Sequence, residues 1–324
     1  MSSATAIAHP NIALVKYWGK RERTLNLPAA GSFSLTLGPV RTRTTVTWGE
    51  EEDRVSLNAD RLDGTELTKM TRFLDLVRER KAGLGGAHVV SDNDFPTAAG
   101  LASSASGFAA LSVAAVEAAG VSLSNQELSV LACRGSGSAA RSVFGGFVRM
   151  RAGQRADGTD SAAEQVVPAE HWPLTMLLCV TTEGRKSVSS TVGMNATQET
   201  SPYFCSWIDT VEPAVESAIA AVLDRDFERL ALVAEASALQ MHASAIAAVP
   251  GVLYWNAGTV SMIHEVRRWR AGGIPAFFTI DAGPHVKVCV PPGYAAKVEK
   301  LAQAVPGVLR VLRTEAAGAP QVLR

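Results

Sequence analysis

The sequence predicts an α+β fold in two domains, and three observations carry that expectation. The chain has 324 residues, long enough for two cores to be favoured over one. Strand-like and helix-like segments mix without strict β-α-β alternation, which argues against a doubly wound parallel sheet. The second half is richer in long amphipathic helices than the first. The division is expected between Val180 and Ser190, giving domains of residues 1–183 and 184–324.

The elements follow in order. The first 50 residues read as β-rich, and Thr42–Trp48 has strand composition. A charged turn through residues 49–53 leads to a short strand over Arg54–Asn58. From Thr65 to Lys81, Leu67, Met70, Phe73, Leu74 and Val77 share one face at helical spacing. Ala87–Val90 reads as a buried strand. A small-residue helix runs from about Ser103 to Gly120, and Ser124 with Glu127 forms a capping box for the next helix. Phe147–Met150 reads as a strand, Ala152–Glu164 as a polar surface loop and Leu174–Thr182 as a strand. Helices are expected over Glu212–Leu223, Phe227–Ile246, Thr259–Arg270 and Ala295–Ala304, with strands at Pro275–Ile280 and Val286–Val290.

Composition excludes several functions. Lys plus Arg and Asp plus Glu each total 31, so the formal net charge is +0 and no nucleic-acid partner is expected. A local basic pocket for a small anion remains compatible with balanced totals. The hydrophobic share of 47% and charged share of 19% fit a soluble globular protein. The opening Met1-Ser2-Ser3-Ala4 shows no signal peptide. No stretch supplies the roughly 20 apolar residues of a membrane span. Cys133, Cys179, Cys205 and Cys289 are scattered without metal-ligand spacing. They are expected to be reduced thiols in a cytoplasmic protein.

Pro96–Gly107 reads P-T-A-A-G-L-A-S-S-A-S-G and opens into the Ala-rich helix. Small side chains let a backbone approach a phosphate, and a helix start aims free N–H groups and a positive dipole end at it. It is neither a Walker A loop nor the dinucleotide glycine pattern. A tightly packed start of an Ala/Gly/Ser helix would read the same. Asp281 follows the apolar run Ala276–Ile280 and precedes Ala282-Gly283-Pro284. A carboxylate ending a buried strand is costly unless paired, and it suits a general base or a lysine partner; capping a turn is the other use. Lys16 and Lys20 flank a Tyr-Trp-Gly turn. Arg141 closes Gly135-Ser136-Gly137-Ser138-Ala139-Ala140-Arg141, where a planar fork can meet a carboxylate or phosphate.

Together, and in this order, these segments resemble a known family. The Pro96–Gly107 run looks like the phosphate loop of the GHMP small-molecule kinases. N-I-A-L-V-K-Y-W-G-K at residues 11–20, G-S-G-S-A-A-R at 135–141 and D-A-G-P at 281–284 narrow the resemblance to the mevalonate diphosphate decarboxylases, over nearly the whole chain.

The resemblance implies an N-terminal α+β domain, a C-terminal ferredoxin-like α/β sandwich and an active site in the cleft between them. It implies ATP-dependent decarboxylation of (R)-5-diphosphomevalonate to isopentenyl diphosphate, with ATP and Mg²⁺ required and a homodimer as the assembly. By the same resemblance Asp281 is the catalytic aspartate, Lys16 its neighbouring lysine and Arg141 the holder of the substrate carboxylate. Tyr17, Trp18, Gly19 and Lys20 form the substrate turn. Ser136, Gly137, Ser138, Ala139 and Ala140 cradle the substrate, Ser190 and Thr191 contact its diphosphate with Lys20 nearby, and Lys69 stands where a basic residue touches the substrate in some members. Pro96, Ala99, Gly100, Leu101, Ala102, Ser103, Ser104 and Ser106 hold the ATP phosphates. Ser104 is counted with the catalytic groups, and Ser103 and Ser104 lie nearest Mg²⁺. His285 stands where many members carry asparagine, and Ala29-Ala30-Gly31 replaces more polar residues. Relatives that use mevalonate 5-phosphate, or that only phosphorylate mevalonate, are the alternatives. Asp281, Lys16 and Arg141 favour decarboxylation, while the number of substrate phosphates rests on Lys20, Lys69 and Ser190.

Overall fold

The computed structural model describes residues 2–95, 103–184 and 186–323. Its α+β architecture rests on two large sheets. The first has six strands in the order Gln321–Leu323, Ser2–Ala8, Thr42–Glu50, Gly86–Asn93, Arg54–Leu57 and Asp60–Arg61. Its strands pair antiparallel except Arg54–Leu57 with Gly86–Asn93. Along Thr42–Glu50 buried positions alternate with exposed or half-buried ones, as expected for a strand with one face covered. The cover is the helix Ser103–Ala119, whose small residues let it lie close to the sheet. Trp48 fixes the contact by donating its indole N–H to the Ala115 carbonyl at 3.0 Å.

The second sheet runs Ala163–Val167, Phe147–Met150, Ser32–Gly38, Arg310–Ala316, Thr175–Val180, Val286–Val290 and Phe277–Ile280, with Asn11–Val15 also paired to Ser32–Gly38. Helices Phe204–Asp224 and Phe227–Ile246 pack against it around Phe33, Phe147, Trp207 and Phe277. Helices Ala257–Ala271 and Ala295–Gln303 cover another part, around Met262, Trp269, Phe278 and Val288.

Most expected elements form, and the capping box is complete: Ser124 Oγ accepts from the Glu127 N–H, and Glu127 Oε2 accepts from the Ser124 N–H. Three differences have physical causes. The helix expected from Glu212 begins at Phe204 and carries Pro213 inside it. Burial of Phe204, Trp207 and Val211 on one face holds the turns that the proline weakens. The expected loop at residues 152–164 gives way to a strand at Ala163, drawn into register by Phe147–Met150. The helix Ser190–Thr200 was not expected; Ser189 caps it by accepting from the Val192 N–H at 3.2 Å. No helix among the described residues is long and apolar enough to cross a membrane.

Candidate active site

Two buried strands deliver the central charges. Asn11–Val15 is buried throughout and ends at Lys16, whose backbone N–H donates to Ser237 Oγ at 2.9 Å. Phe277–Ile280 ends at Asp281. Lys16 Nζ donates to Asp281 Oδ1 at 2.7 Å and to the Ala13 carbonyl at 2.8 Å. A second lysine completes the arrangement. Lys287 Nζ stands 3.3 Å from Asp281 Oδ2 and donates to the His285 carbonyl at 3.3 Å. Lys16 and Lys287 are each 1% exposed, whereas the Asp281 side chain keeps 28% of its surface open.

Burial alone would push the Asp281 carboxyl up. The two ammonium groups overcome this and hold it well below the usual carboxylate range. Burial pushes Lys16 down to about 8, against the pull of Asp281, and repulsion from Lys287 and Arg141 adds to the drop. Burial likewise brings Arg141 down to about 10, so it stays charged at neutral pH.

Arg141 is buried on the four-residue helix Ala139–Ser142. Its Nε and one Nη donate to Asn11 Oδ1 at 3.2 and 3.0 Å, and the other Nη donates to Ser32 Oγ at 2.6 Å. Asn11 is oriented in turn by donating to the Ser138 carbonyl and to Ser142 Oγ. These bonds occupy three of the five guanidinium N–H donors and leave two for a ligand among the described residues. Lys16, Lys287, Arg141 and Asp281 all line one cavity of about 1890 Å³. Three cations against one carboxylate give it a positive centre inside a chain of zero net charge, a setting that favours anions.

The same cavity takes in other predicted residues. Ser103 and Ser104 line it at the start of the Ser103–Ala119 helix, and Ser136 Oγ donates to Ser104 Oγ at 3.3 Å. This joins the Gly-Ser turn to that helix start. Gly137 leaves room for Tyr17, since a Cβ there would sit 2.4 Å from the phenol oxygen. The Tyr17 hydroxyl is buried without a hydrogen-bond partner among the described residues. Lys20 and Lys69 line the cavity; burial lowers both, and repulsion from Lys69 lowers Lys20 further. Lys69 Nζ lies 4.9 Å over the Phe108 ring. Ser190 and Thr191 line the wall beside Lys186, which donates to Ser190 Oγ at 2.9 Å.

Other predicted residues act as support. Trp18 touches the cavity, but its indole packs edge-on against Tyr254 in the core. Gly19, at φ +88°, makes the turn, and a Cβ there would lie 2.6 Å from the Phe204 ring. Ala139 and Ala140 are fully buried beneath the cradle. Ser106 is fully buried too, accepting from Thr42 Oγ1 at 2.7 Å, and it joins helix to sheet without lining the cavity. Pro96, Ala99, Gly100, Leu101 and Ala102 lie outside the described residues.

Sequence reasoning missed Lys287, Lys186 and the role of Asn11. The signal for Lys287 was a lone charge in the apolar run Val286-Lys287-Val288-Cys289-Val290.

Comparison with known proteins shows the family of the chain. The family model of the diphosphomevalonate decarboxylase-like N-terminal domain matches residues 8–163, and that of the mevalonate 5-diphosphate decarboxylase C-terminal domain matches residues 176–316. The diphosphomevalonate decarboxylase of Ganoderma lucidum is 39% identical over 322 residues, covering 92% of this chain and 80% of its own. The structure of MDDEF in complex with MVAPP, AMPPCP and magnesium superposes with a TM-score of 0.92 at 41% identity, over 100% of this chain and 99% of that one. The mevalonate diphosphate decarboxylase from Enterococcus faecalis, in a structure concerned with ATP binding, gives a TM-score of 0.90 at 39% identity over the same shares. With both halves matched and nearly every residue superposed, the chain belongs to the diphosphomevalonate decarboxylase family.

Proposed function

We propose that the chain catalyses ATP-dependent decarboxylation of (R)-5-diphosphomevalonate to isopentenyl diphosphate, ADP, phosphate and carbon dioxide. The observation that carries this reading is Asp281, held between Lys16 and Lys287 in a cavity whose centre also takes in Arg141. A tertiary hydroxide leaves poorly and a phosphate leaves well. The carbon-3 hydroxyl oxygen therefore first bonds to the γ-phosphorus of ATP, and ADP departs. The carbon–oxygen bond to the new phosphate then breaks, and the carboxylate leaves as carbon dioxide. Its electron pair becomes the double bond and relieves the positive charge developing at carbon-3.

Each residue has a task in this scheme. Asp281 accepts the hydrogen bond of the carbon-3 hydroxyl and orients its oxygen. A carboxylate held so low is a weak base, so it takes the proton once bonding to phosphorus has made the hydroxyl acidic. Lys16 balances charge at the transferred phosphoryl group. Arg141 offers its two remaining N–H groups to the substrate carboxylate. Tyr17 and the Ser136–Ser138 turn cradle the substrate, while Lys20, Lys69, Ser190 and Thr191 meet its diphosphate.

The ATP phosphates would lie at the start of the Ser103–Ala119 helix, where Ser103 and Ser104 offer hydroxyls. Magnesium prefers such oxygen donors together with phosphate oxygens. The described residues hold no cluster of three or more His, Cys, Asp or Glu for a metal. Ser103 and Ser104 would meet a magnesium ion carried on the nucleotide, which would neutralise phosphate charge. A cytoplasmic homodimer completes the proposal. The dimer should run in solution at twice the 34.1 kDa chain mass, and a single-chain mass at micromolar concentration would contradict it.

The test is incubation with ATP and, side by side, mevalonate, its 5-phosphate and its 5-diphosphate. Carbon dioxide released fastest from the diphosphate supports the reading. ADP formed without carbon dioxide would make the chain a kinase, and preference for the monophosphate would make it a phosphomevalonate decarboxylase.

A further inference from the structure

Lys287 is expensive where it stands. It is the second residue of Val286–Val290 and lies opposite Thr279 on one neighbouring strand and Leu178 on the other. Val286, Val288 and Val290 point into an apolar cluster, so the strand's period of two turns Lys287 to the other face. There Thr279 Oγ1 donates to the Ala13 carbonyl at 3.2 Å, the same carbonyl that accepts from Lys16 Nζ. A buried ammonium is costly unless paired, and Asp281 is already paired by Lys16. The second lysine leaves excess positive charge in the site, so charge pairing alone does not account for it. Geometry does: one lysine bonds Oδ1 and the other approaches Oδ2, which restrains the rotation of the carboxylate.

We infer that Lys287 is a positioning residue of the reaction, holding the second oxygen of Asp281 so that the carboxylate meets substrate in one fixed plane. The inference rests on the decarboxylase reading above. It has a second consequence through Lys16. The charged or titratable groups facing Lys16 are Asp281, just after Phe277–Ile280, Lys287 within the paired strand Val286–Val290, Arg141 from its short helix and His242 from Phe227–Ile246. Lys186 adds a further cation near Asp281 and Lys287. Lys287 is one of the two that push the Lys16 proton off, so its removal raises the pH at which Lys16 deprotonates.

The experiment is Lys287→Met, which keeps most of the stem and removes the charge. The expected result is a kcat at least about tenfold lower with KM for diphosphomevalonate within about threefold of wild type, as for an interaction that matters mainly in the transition state. The alkaline limb of the pH–rate profile should also move upward. A kcat within about threefold of wild type, or a limb that stays in place, overturns the inference. Lys287→Gln carries the same expectations should Lys287→Met not fold. Wild-type protein that releases no carbon dioxide would defeat the decarboxylase reading, which is a separate failure. Positioning can also be read without turnover, from a crystal structure of the variant. Asp281 should then rotate or occupy more than one orientation, and an unchanged carboxylate plane overturns the inference whatever the reaction.

Discussion

Asp281, Lys16 and Arg141 carry the account at the scale of single residues. Asp281→Asn keeps the shape and removes the charge that two lysines were placed to meet. Turnover should fall by more than about 1000-fold while ATP binding stays within about threefold. A rate within about tenfold of wild type, a loss of roughly 1.4 kcal/mol, would remove Asp281 from the chemistry. Arg141→Lys keeps the charge but loses the fork that Asn11 and Ser32 hold in plane. It should lower kcat/KM by about 100-fold, and a near-normal value would count against a carboxylate clamp. The pH dependence follows from Lys16. Below about 8 it is an ammonium paired with Asp281, and above that pH it is a neutral amine. Activity should therefore decline as pH rises through about 8, and a rate still climbing beyond it would contradict the role given to Lys16. These three residues drew notice through the short segments they stand in, but a local reading left a turn cap or a solvated charge open, and their roles came from the family resemblance. Lys287 drew none, because a single charge in an apolar strand does not reveal its partner. Only the pairing of two strands brings it to Asp281.

At the scale of elements, close packing of small residues joins the parts of the site. Gly135 ends the helix Asn125–Gly135 against the ring of Phe108, and a Cβ there would lie 2.0 Å from a ring carbon. Phe108 in turn lies under Lys69 and stacks edge-on with Phe73 at 5.3 Å. Gly135→Ala should therefore cost about 1 to 3 kcal/mol in thermal unfolding, as overpacked cores do. It should also raise KM for the diphosphorylated substrate through displacement of Lys69. A variant with unchanged melting and KM would show that the contact relaxes freely. Helices whose own apolar stripe sets their burial, such as Gly64–Arg78, could be read from sequence. Phe204–Asp224 was read only from Glu212 onward, because Pro213 suits the first turn of a helix and argues locally against one running into it, while the contacts that hold the earlier turns are distant in sequence. Arg310–Ala316 was not read as a strand, since it is mostly half-buried and lacks clean alternation.

At the scale of the molecule, that unread strand lies between Ser32–Gly38 and Thr175–Val180. It joins strands from the first part of the chain to those that carry Lys287 and precede Asp281. A chain ended at Leu309 would take a partner from Ser32–Gly38, Thr175–Val180 and, through loss of Gln321–Leu323, Ser2–Ala8, and should lose cooperative unfolding and solubility. A soluble truncated protein with a wild-type melting profile would contradict this role. The zero net charge concealed the positive cleft, which forms only when residues from 16 to 287 converge. The central claim is that phosphoryl transfer and loss of carbon dioxide are coupled at Asp281. The most direct measurement is the ratio of carbon dioxide to ADP formed from diphosphomevalonate in single turnover. The account predicts equal amounts from wild type and neither product from Asp281→Asn; ADP without carbon dioxide from wild type would contradict it.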